Sequence, residues 1–277
     1  MQKIKYPLII SDFDGTLLRS DDQIANETKK AIDEYVHCGG RFCICTGRML
    51  GSIIPKAKAL GLSGLVASFQ GAVVADIQTG KVLLDGGMSA QDGAEICRFC
   101  EEMGWHTHVY ALDVFYSNMQ DKALEDYERI TGIKGCVVND EPLWKFIEEK
   151  GEKVRKILLL VSPKDKQQIY QILHEKFGEN YYVTYSAAFL VEISPKQYSK
   201  ATAVQFMADH YGIDVENVIA VGDSLNDMPM IERAGAGVAM KNADDALKAV
   251  ADVVLNYSND ENGIGHVISD VAYEGEV

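Results

Sequence analysis

Four short polar clusters, each just past an apolar run, hold the residues of this chain best suited to chemistry. They are Asp12-Phe13-Asp14-Gly15-Thr16, Thr46-Gly47-Arg48, the single Lys200, and Gly222-Asp223-Ser224-Leu225-Asn226-Asp227. A carboxylate at a strand end, such as Asp12, can attack phosphorus and divide one hard displacement into two easier ones. A second carboxyl two residues on, Asp14, can protonate the leaving oxygen and then deprotonate the attacking water. Gly15 permits a sharp backbone turn. Thr46 and Gly47 offer a hydroxyl and backbone N–H groups near a helix start, an oxyanion site. Lys200 is a point charge able to hold both an attacking carboxylate and a phosphate. Asp223 and Asp227, with Asp12, can build the partly hydrated oxygen octahedron that Mg²⁺ prefers, and such a cation relieves the repulsion among crowded carboxylates. Taken singly, an Asp/Gly turn is commonplace and a lone lysine is usually solvated surface. Taken together, the clusters point to phosphoryl transfer through an aspartyl phosphate.

Positioning them requires a particular scaffold. Tyr6–Ser11 reads as a short buried strand, and Glu27–Cys38 carries apolar residues on one helical face, with Asn26 as the expected N-cap and Gly39-Gly40 as the stop. Arg41–Cys45 reads as a second strand, Met49–Leu60 as a second helix and Leu65–Phe69 as a third strand. That alternation predicts an α/β fold with a parallel, Rossmann-like sheet covered on both faces. Ligands of such sheets collect beyond the carboxyl ends of the strands. Asp12, Thr46 and Asp223 each follow a predicted strand, the last being Val218–Val221, so they share one edge.

From about residue 83 to 193 the pattern changes to a mixed α+β insert, entered through a hairpin signal at Thr79-Gly80. Ser89–Met103 reads as a helix with Ser89 and Asp92 as a capping pair. Strand-like Trp105–Tyr110, Val114–Ser117 and Gly135–Asn139 follow, with a helix at Lys122–Thr131 between the last two. Strand-like Val154–Val161, a helix over Lys164–Phe177 and a strand pair at Tyr181–Tyr185 and Phe189–Ile193 complete it. The alternation of the first region then resumes. The expected domains are a discontinuous core, 1–82 with 194–277, and an inserted domain, 83–193.

A net charge of −14 and the absence of any Lys/Arg run argue against a nucleic-acid backbone or an anionic membrane as partner. The run Leu8-Ile9-Ile10 is too short for a leader or a membrane span, so a cytoplasmic protein is expected. Six cysteines include Cys97-x-x-Cys100 on a predicted helix, read as buried thiols because no second pair completes a metal set.

The ordered set resembles the haloacid dehalogenase (HAD) superfamily, specifically the Cof-like phosphatases of subclass IIB with a large α/β cap. Lys241-Asn242-Ala243 and Ser258-Asn259-Asp260-Glu261-Asn262-Gly263 extend that resemblance to nearly the whole chain. It implies a HAD core with a cap placed between Thr46 and Lys200, Asp12 as nucleophile and Asp14 as general acid/base. It also implies Thr46, Gly47 and Lys200 as phosphate ligands, and Asn226 as an aid to the phosphate or the loop. Asp12, the Asp14 carbonyl and Asp223 would hold Mg²⁺, supported by Asp227. The implied substrate is a small phosphomonoester, such as a sugar phosphate or a phosphorylated cofactor. Two departures stand out: Gln70-Gly71-Ala72 where the family commonly has Asn-Gly-Ala, and Ala201 where a glycine usually follows the lysine. In the inserted region Trp105, His106, His108, Tyr110 and Phe115 could face a leaving group, although core or satisfied polar roles suit them better. Two rival functions share these residues: a phosphohexomutase of the same superfamily, and a non-catalytic phosphometabolite sensor. The intact carboxylates count against the sensor.

Overall fold

A computed structural model describes residues 3–187 and 189–274. The chain forms two compact units: one of the residues up to Arg48, Ile53–Asp85 and the residues from Tyr198 on, the other of Met49–Ser52 and Gly86–Gln197.

The first unit is built on an eight-stranded sheet. Its order is Val253–Val254, Ala236–Ala239, Val218–Gly222, Leu8–Ser11, Arg41–Cys45, Leu65–Ser68, Val73–Asp76, Val82–Asp85. The first six strands run parallel, and the last two are antiparallel additions. The central strands are short apolar runs because both their faces are covered, and Leu8, Ile9, Ile10, Ile44, Val66 and Ile219 are fully buried. Ile10 lies opposite Ala220 on one side and Cys43 on the other. The chain thus leaves the central strand in both directions, which puts a switch point, and the crevice that goes with it, between Leu8–Ser11 and Val218–Gly222. The first helix is Asn26–His37, with Ala25 rather than Asn26 at the cap position and no side-chain cap. The hairpin expected at Thr79-Gly80 forms between Val73–Asp76 and Val82–Asp85, with Asp76 accepting from Thr79 N at 2.7 Å.

The second unit has a six-stranded sheet in the order Tyr181–Ala187, Leu190–Pro195, Lys156–Leu160, His106–Tyr110, Phe115–Ser117, Cys136–Val137, antiparallel except for the last pair. Alternation sends Val109, Ile157, Leu159, Val191 and Ile193 to one face, against the helices Ala90–Glu102, Leu143–Lys150 and Lys166–Phe177. Cys97 and Cys100 belong to this apolar core, and burial pushes the Cys100 thiol up to about 12, far from any reactive thiolate.

The other face carries a polar network. His108 Nε2 meets His106 Nε2 at 3.2 Å, and His106 reaches Ser117 Oγ at 3.0 Å and Asp121 at 3.2 Å. Tyr110 and Tyr127 hydroxyls bond at 2.5 Å, and His108 stacks on Phe115. His106, His108, Tyr110 and Tyr127 are buried, but His108 Nδ1 has no hydrogen-bond partner among the described residues, so the satisfied-polar reading of the sequence holds only in part. Burial, helped by the charges of His106 and Lys156, lowers the His108 pKa to about 3. A depressed histidine stabilises the fold fully above its unfolded pKa of about 6.5, and that contribution fades as pH falls toward its folded value. Stability is therefore expected to drop on acidification below about pH 6.5, by about 1.4 kcal/mol per pH unit from this residue. His108→Phe keeps the stacking and removes the basic nitrogen. Its melting temperature should fall less between pH 7.5 and pH 4.5 than that of the wild type; parallel slopes would show that His108 is not the source.

Candidate active site

Every sequence-predicted site residue lies in the first unit, at the carboxyl edge of its sheet. Asp12 continues the central strand, its N–H donating to Val221 O at 2.9 Å, and fully buried Phe13 anchors the exit. Gly15 adopts φ +76°, and a Cβ there would stand 2.5 Å from Asp223 Oδ2. Glycine is needed on both counts. Thr16 Oγ1 then donates to Asp223 Oδ1 at 2.5 Å, tying the first cluster to the fourth.

Lys200 opens the helix Lys200–Tyr211, whose N-cap Ser199 forms a capping box with Thr202. An ammonium at a helix N-terminus is disfavoured by the dipole. Two carboxylates outweigh this: Lys200 Nζ donates to Asp12 Oδ1 at 2.6 Å and to Asp227 Oδ1 at 2.5 Å, and the lysine is only 1% exposed. Asp227 Oδ2 accepts from the N–H groups of Asp223 (2.9 Å) and Ser224 (3.0 Å), so this wholly buried carboxylate is saturated by protein donors.

One oxygen from each of Asp12, Asp223 and Asp227 lies within 4.8 Å of the others. Burial raises the Asp12 carboxyl to about 8 against the pull of Lys200, with Asp227 adding to the rise. Burial raises Asp223 also, partly offset by Thr16. Burial would lower Lys200, but Asp12 and Asp227 hold its ammonium above the ordinary lysine value. Buried Asp12 and Asp227 thus share one lysine with a partly buried Asp223 close by, and a further positive charge is the simplest relief. The donors are all hard oxygens, so the set fits a divalent cation of the Mg²⁺ type. Asp227 takes Lys200 and two backbone N–H groups, whereas Asp12 takes the lysine and Asp223 the hydroxyls of Thr16 and Ser224, so these two keep more lone-pair capacity for that cation.

Thr46 follows the strand Arg41–Cys45 and is 1% exposed; its hydroxyl accepts from Arg48 N at 3.2 Å. Among the described residues no group accepts from Gly47 N–H, which leaves it available to an anion. Asp14 does not join the buried carboxylates. Its half-exposed carboxylate takes a bidentate pair from Arg48, 2.7 Å to Nε and 2.6 Å to Nη2. Arg48 also lies over the Phe13 ring. Asn226 is exposed, and its Nδ2 donates to Gln70 Oε1 at 3.3 Å.

Sequence reasoning gave Arg48 no role of its own and passed over Gln70 as a site residue. It named the two C-terminal motifs without a purpose, and the structure supplies one. Asn242 Nδ2 donates to Gly15 O at 2.8 Å, Asn259 Nδ2 to Leu18 O at 2.9 Å, and Asp244 accepts from Leu225 N at 3.2 Å. These asparagines and this aspartate brace the two carboxylate-bearing loops.

Comparison with known proteins agrees with this architecture. Residues 9–268 match the haloacid dehalogenase-like hydrolase family. The 5-amino-6-(5-phospho-D-ribitylamino)uracil phosphatase YwtE of Bacillus subtilis is 30% identical, the alignment covering 94% of this chain and 96% of that protein. Phosphatase YwpJ of the same organism is 28% identical over 94% of this chain and 98% of its own. The crystal structure of TM0651 from Thermotoga maritima superposes with a TM-score of 0.86 at 26% identity, covering 97% of this chain and 98% of that one. Among the described residues no helix is long and apolar enough to cross a membrane. With a match that spans both the sheet and the carboxylate clusters, the chain belongs to the haloacid dehalogenase-like hydrolases and is an enzyme of the phosphatase type.

Proposed function

We propose that this enzyme is a Mg²⁺-dependent phosphatase of small phosphorylated metabolites that works through an aspartyl phosphate on Asp12. The observation that carries the reading is the grouping of buried Asp12, Lys200 and Asp227 with partly buried Asp223 at the sheet edge, beside Thr46 and Gly47. An Asp12 carboxylate oxygen attacks phosphorus in line while the bond from phosphorus to the leaving oxygen breaks. Asp14 donates a proton to that oxygen, and in the second half-reaction takes one from the water that attacks the acyl phosphate. For either task the Asp14–Arg48 pair must open. Inorganic phosphate leaves and the Asp12 carboxylate is restored.

Lys200, Thr46, the Gly47 N–H and Asn226 hold the phosphoryl oxygens, and Lys200 orients Asp12. Mg²⁺ would be held by Asp12, the Asp14 carbonyl and Asp223, with Asp227 in support through its bonds to Lys200 and the 223–224 backbone. When bound it supplies neutralisation of the charge gathered on the transferring group. The relative named for a phosphorylated ribitylaminouracil supports a small phosphorylated metabolite, a sugar phosphate or a phosphorylated cofactor, as substrate.

Release of inorganic phosphate from a panel of such esters, with Mg²⁺ and with EDTA, tests the reading. Metal-dependent release of phosphate as the sole phosphorus product is expected. A folded enzyme that releases none from any ester, or that transfers the group to another sugar hydroxyl, would overturn it.

A further inference from the structure

Three successive residues at the edge of the candidate site have positive φ: Phe69 (+50°), Gln70 (+57°) and Gly71 (+99°). Only the third is a glycine. Left-handed backbone costs a non-glycine residue on the order of 1 kcal/mol, and for a bulky aromatic it is an outlier that the surroundings must enforce. The enforcement is visible. Phe69 N–H donates to Arg48 O and Gln70 N–H to Thr46 O, both at 3.1 Å, so the turn is stitched to the backbone of the Thr46-Gly47-Arg48 cluster. A Cβ at Gly71 would fall 2.2 Å from Ser199 O, so the same turn sits directly against the cap of the Lys200 helix. Strain of this kind, held in place by its neighbours, is concentrated at functional sites.

What the strain achieves is the placement of one side chain. The Gln70 amide lies across Gly47, its Nε2 only 2.5 Å from where a Gly47 Cβ would stand. Its Oε1 accepts from Asn226 Nδ2 at 3.3 Å. Gln70 therefore touches the second cluster through backbone and side chain, and the fourth cluster through Asn226. Glycine at position 47 is what makes room for it.

We infer that Gln70 is a positioning residue for phosphate binding: it ties the exposed Asn226 amide to the Thr46–Gly47 loop so that their donors converge on the same phosphoryl oxygens. The inference rests on the phosphatase reading above. The glutamine side chain spans from the strained turn to Asn226.

The experiment compares wild type, Gln70→Gly, Gln70→Ala, Asn226→Ala and Gln70→Gly/Asn226→Ala. It reads KM and kcat for a phosphomonoester, inorganic phosphate binding in the presence of Mg²⁺ by calorimetry, and melting temperature. Glycine accepts φ +57° without strain, so a merely structural Gln70 predicts that Gln70→Gly is at least as stable and binds phosphate normally. The positioning role predicts unchanged or higher stability together with roughly tenfold weaker phosphate binding and a raised KM, as expected for the loss of one hydrogen-bonded link. It further predicts that the double variant is no worse than Asn226→Ala, because the two residues act as one unit. Normal phosphate affinity in Gln70→Gly and Gln70→Ala, or additive losses in the double variant, would overturn the inference. If the wild type binds phosphate but turns nothing over, the phosphatase reading fails while the calorimetric comparison still decides the role of Gln70.

Discussion

Asp12→Asn is expected to lower kcat by about four orders of magnitude or more, the scale seen when a covalent nucleophile is removed, while the protein remains folded. The size follows from the role: without a carboxylate oxygen to accept the phosphoryl group the two-step route is closed. Survival of the fold follows from local energetics. Asp12 is 6% exposed and burial raises its carboxyl, so the ionised group opposes the fold through desolvation. Asparagine is nearly isosteric and uncharged, and Lys200 keeps Asp227 as its partner at 2.5 Å. In EDTA the variant should therefore melt at or above the wild-type temperature. Adding Mg²⁺ should stabilise it less than it stabilises wild type, because one of the carboxylates facing the cation is gone. Phosphate-release assays and melting curves on one preparation check both halves. Turnover within tenfold of wild type would rule out Asp12 as the nucleophile.

Lys200→Met should be damaging in a different way. Methionine fills a similar volume, so cavity effects are small. The loss is electrostatic: Asp12 and Asp227 are left buried without their shared cation. Removing one partner of a buried ion pair typically costs about 3–5 kcal/mol, which in a chain of this size lowers the melting temperature by roughly 10 °C. Turnover should fall with it, because both the attacking carboxylate and the phosphoryl group lose their lysine. The sign can be checked with a second change. Asp12→Asn/Lys200→Met removes one of the two stranded carboxylates and should recover part of the lost stability, a coupling that distant sites would not show. A Lys200→Met protein that melts with wild type in EDTA would mean that the lysine is not the counter-charge of this cluster.

The central strands were readable because both faces of a parallel sheet are buried, which turns Leu8–Ser11, Arg41–Cys45 and Val218–Gly222 into apolar runs with a polar residue at the exit. Those exits are the candidate site, so its main members were readable for the same reason. The strand Ala236–Ala239 was hidden by its composition: alanine, glycine, valine and alanine carry no period and little hydrophobic weight. The eight-residue helix Leu143–Lys150 went unnoticed because it is too short to establish a helical repeat, and Glu101 of another helix caps its N-terminus by accepting from Leu143 and Trp144 N–H groups. Asn26 was expected to cap a helix that instead begins with it, since a favoured residue type marks a helix start only to within a position or so. The Arg48–Asp14 pair joins residues 34 positions apart, and no local rule announces such a contact. Phe69 and Gln70 are types that avoid left-handed backbone, so local chemistry argued against the geometry they adopt.

The central strand of the first unit hydrogen-bonds on one side to a segment synthesised much later. Thr16 and its partner Asp223 are 207 positions apart, and Lys200 is 188 positions from Asp12. A chain emerging from the ribosome presents Ile9 and Ile10 with one flank unpaired until Val218–Gly222 follows. Nearly all of the second unit is the unbroken stretch Gly86–Gln197, so its sheet can close while that flank still waits. The second unit can therefore close before the first, begun earlier, is complete, and the interval leaves an apolar strand edge open to mispairing. No nascent fragment shorter than Asp227 can carry the charge cluster.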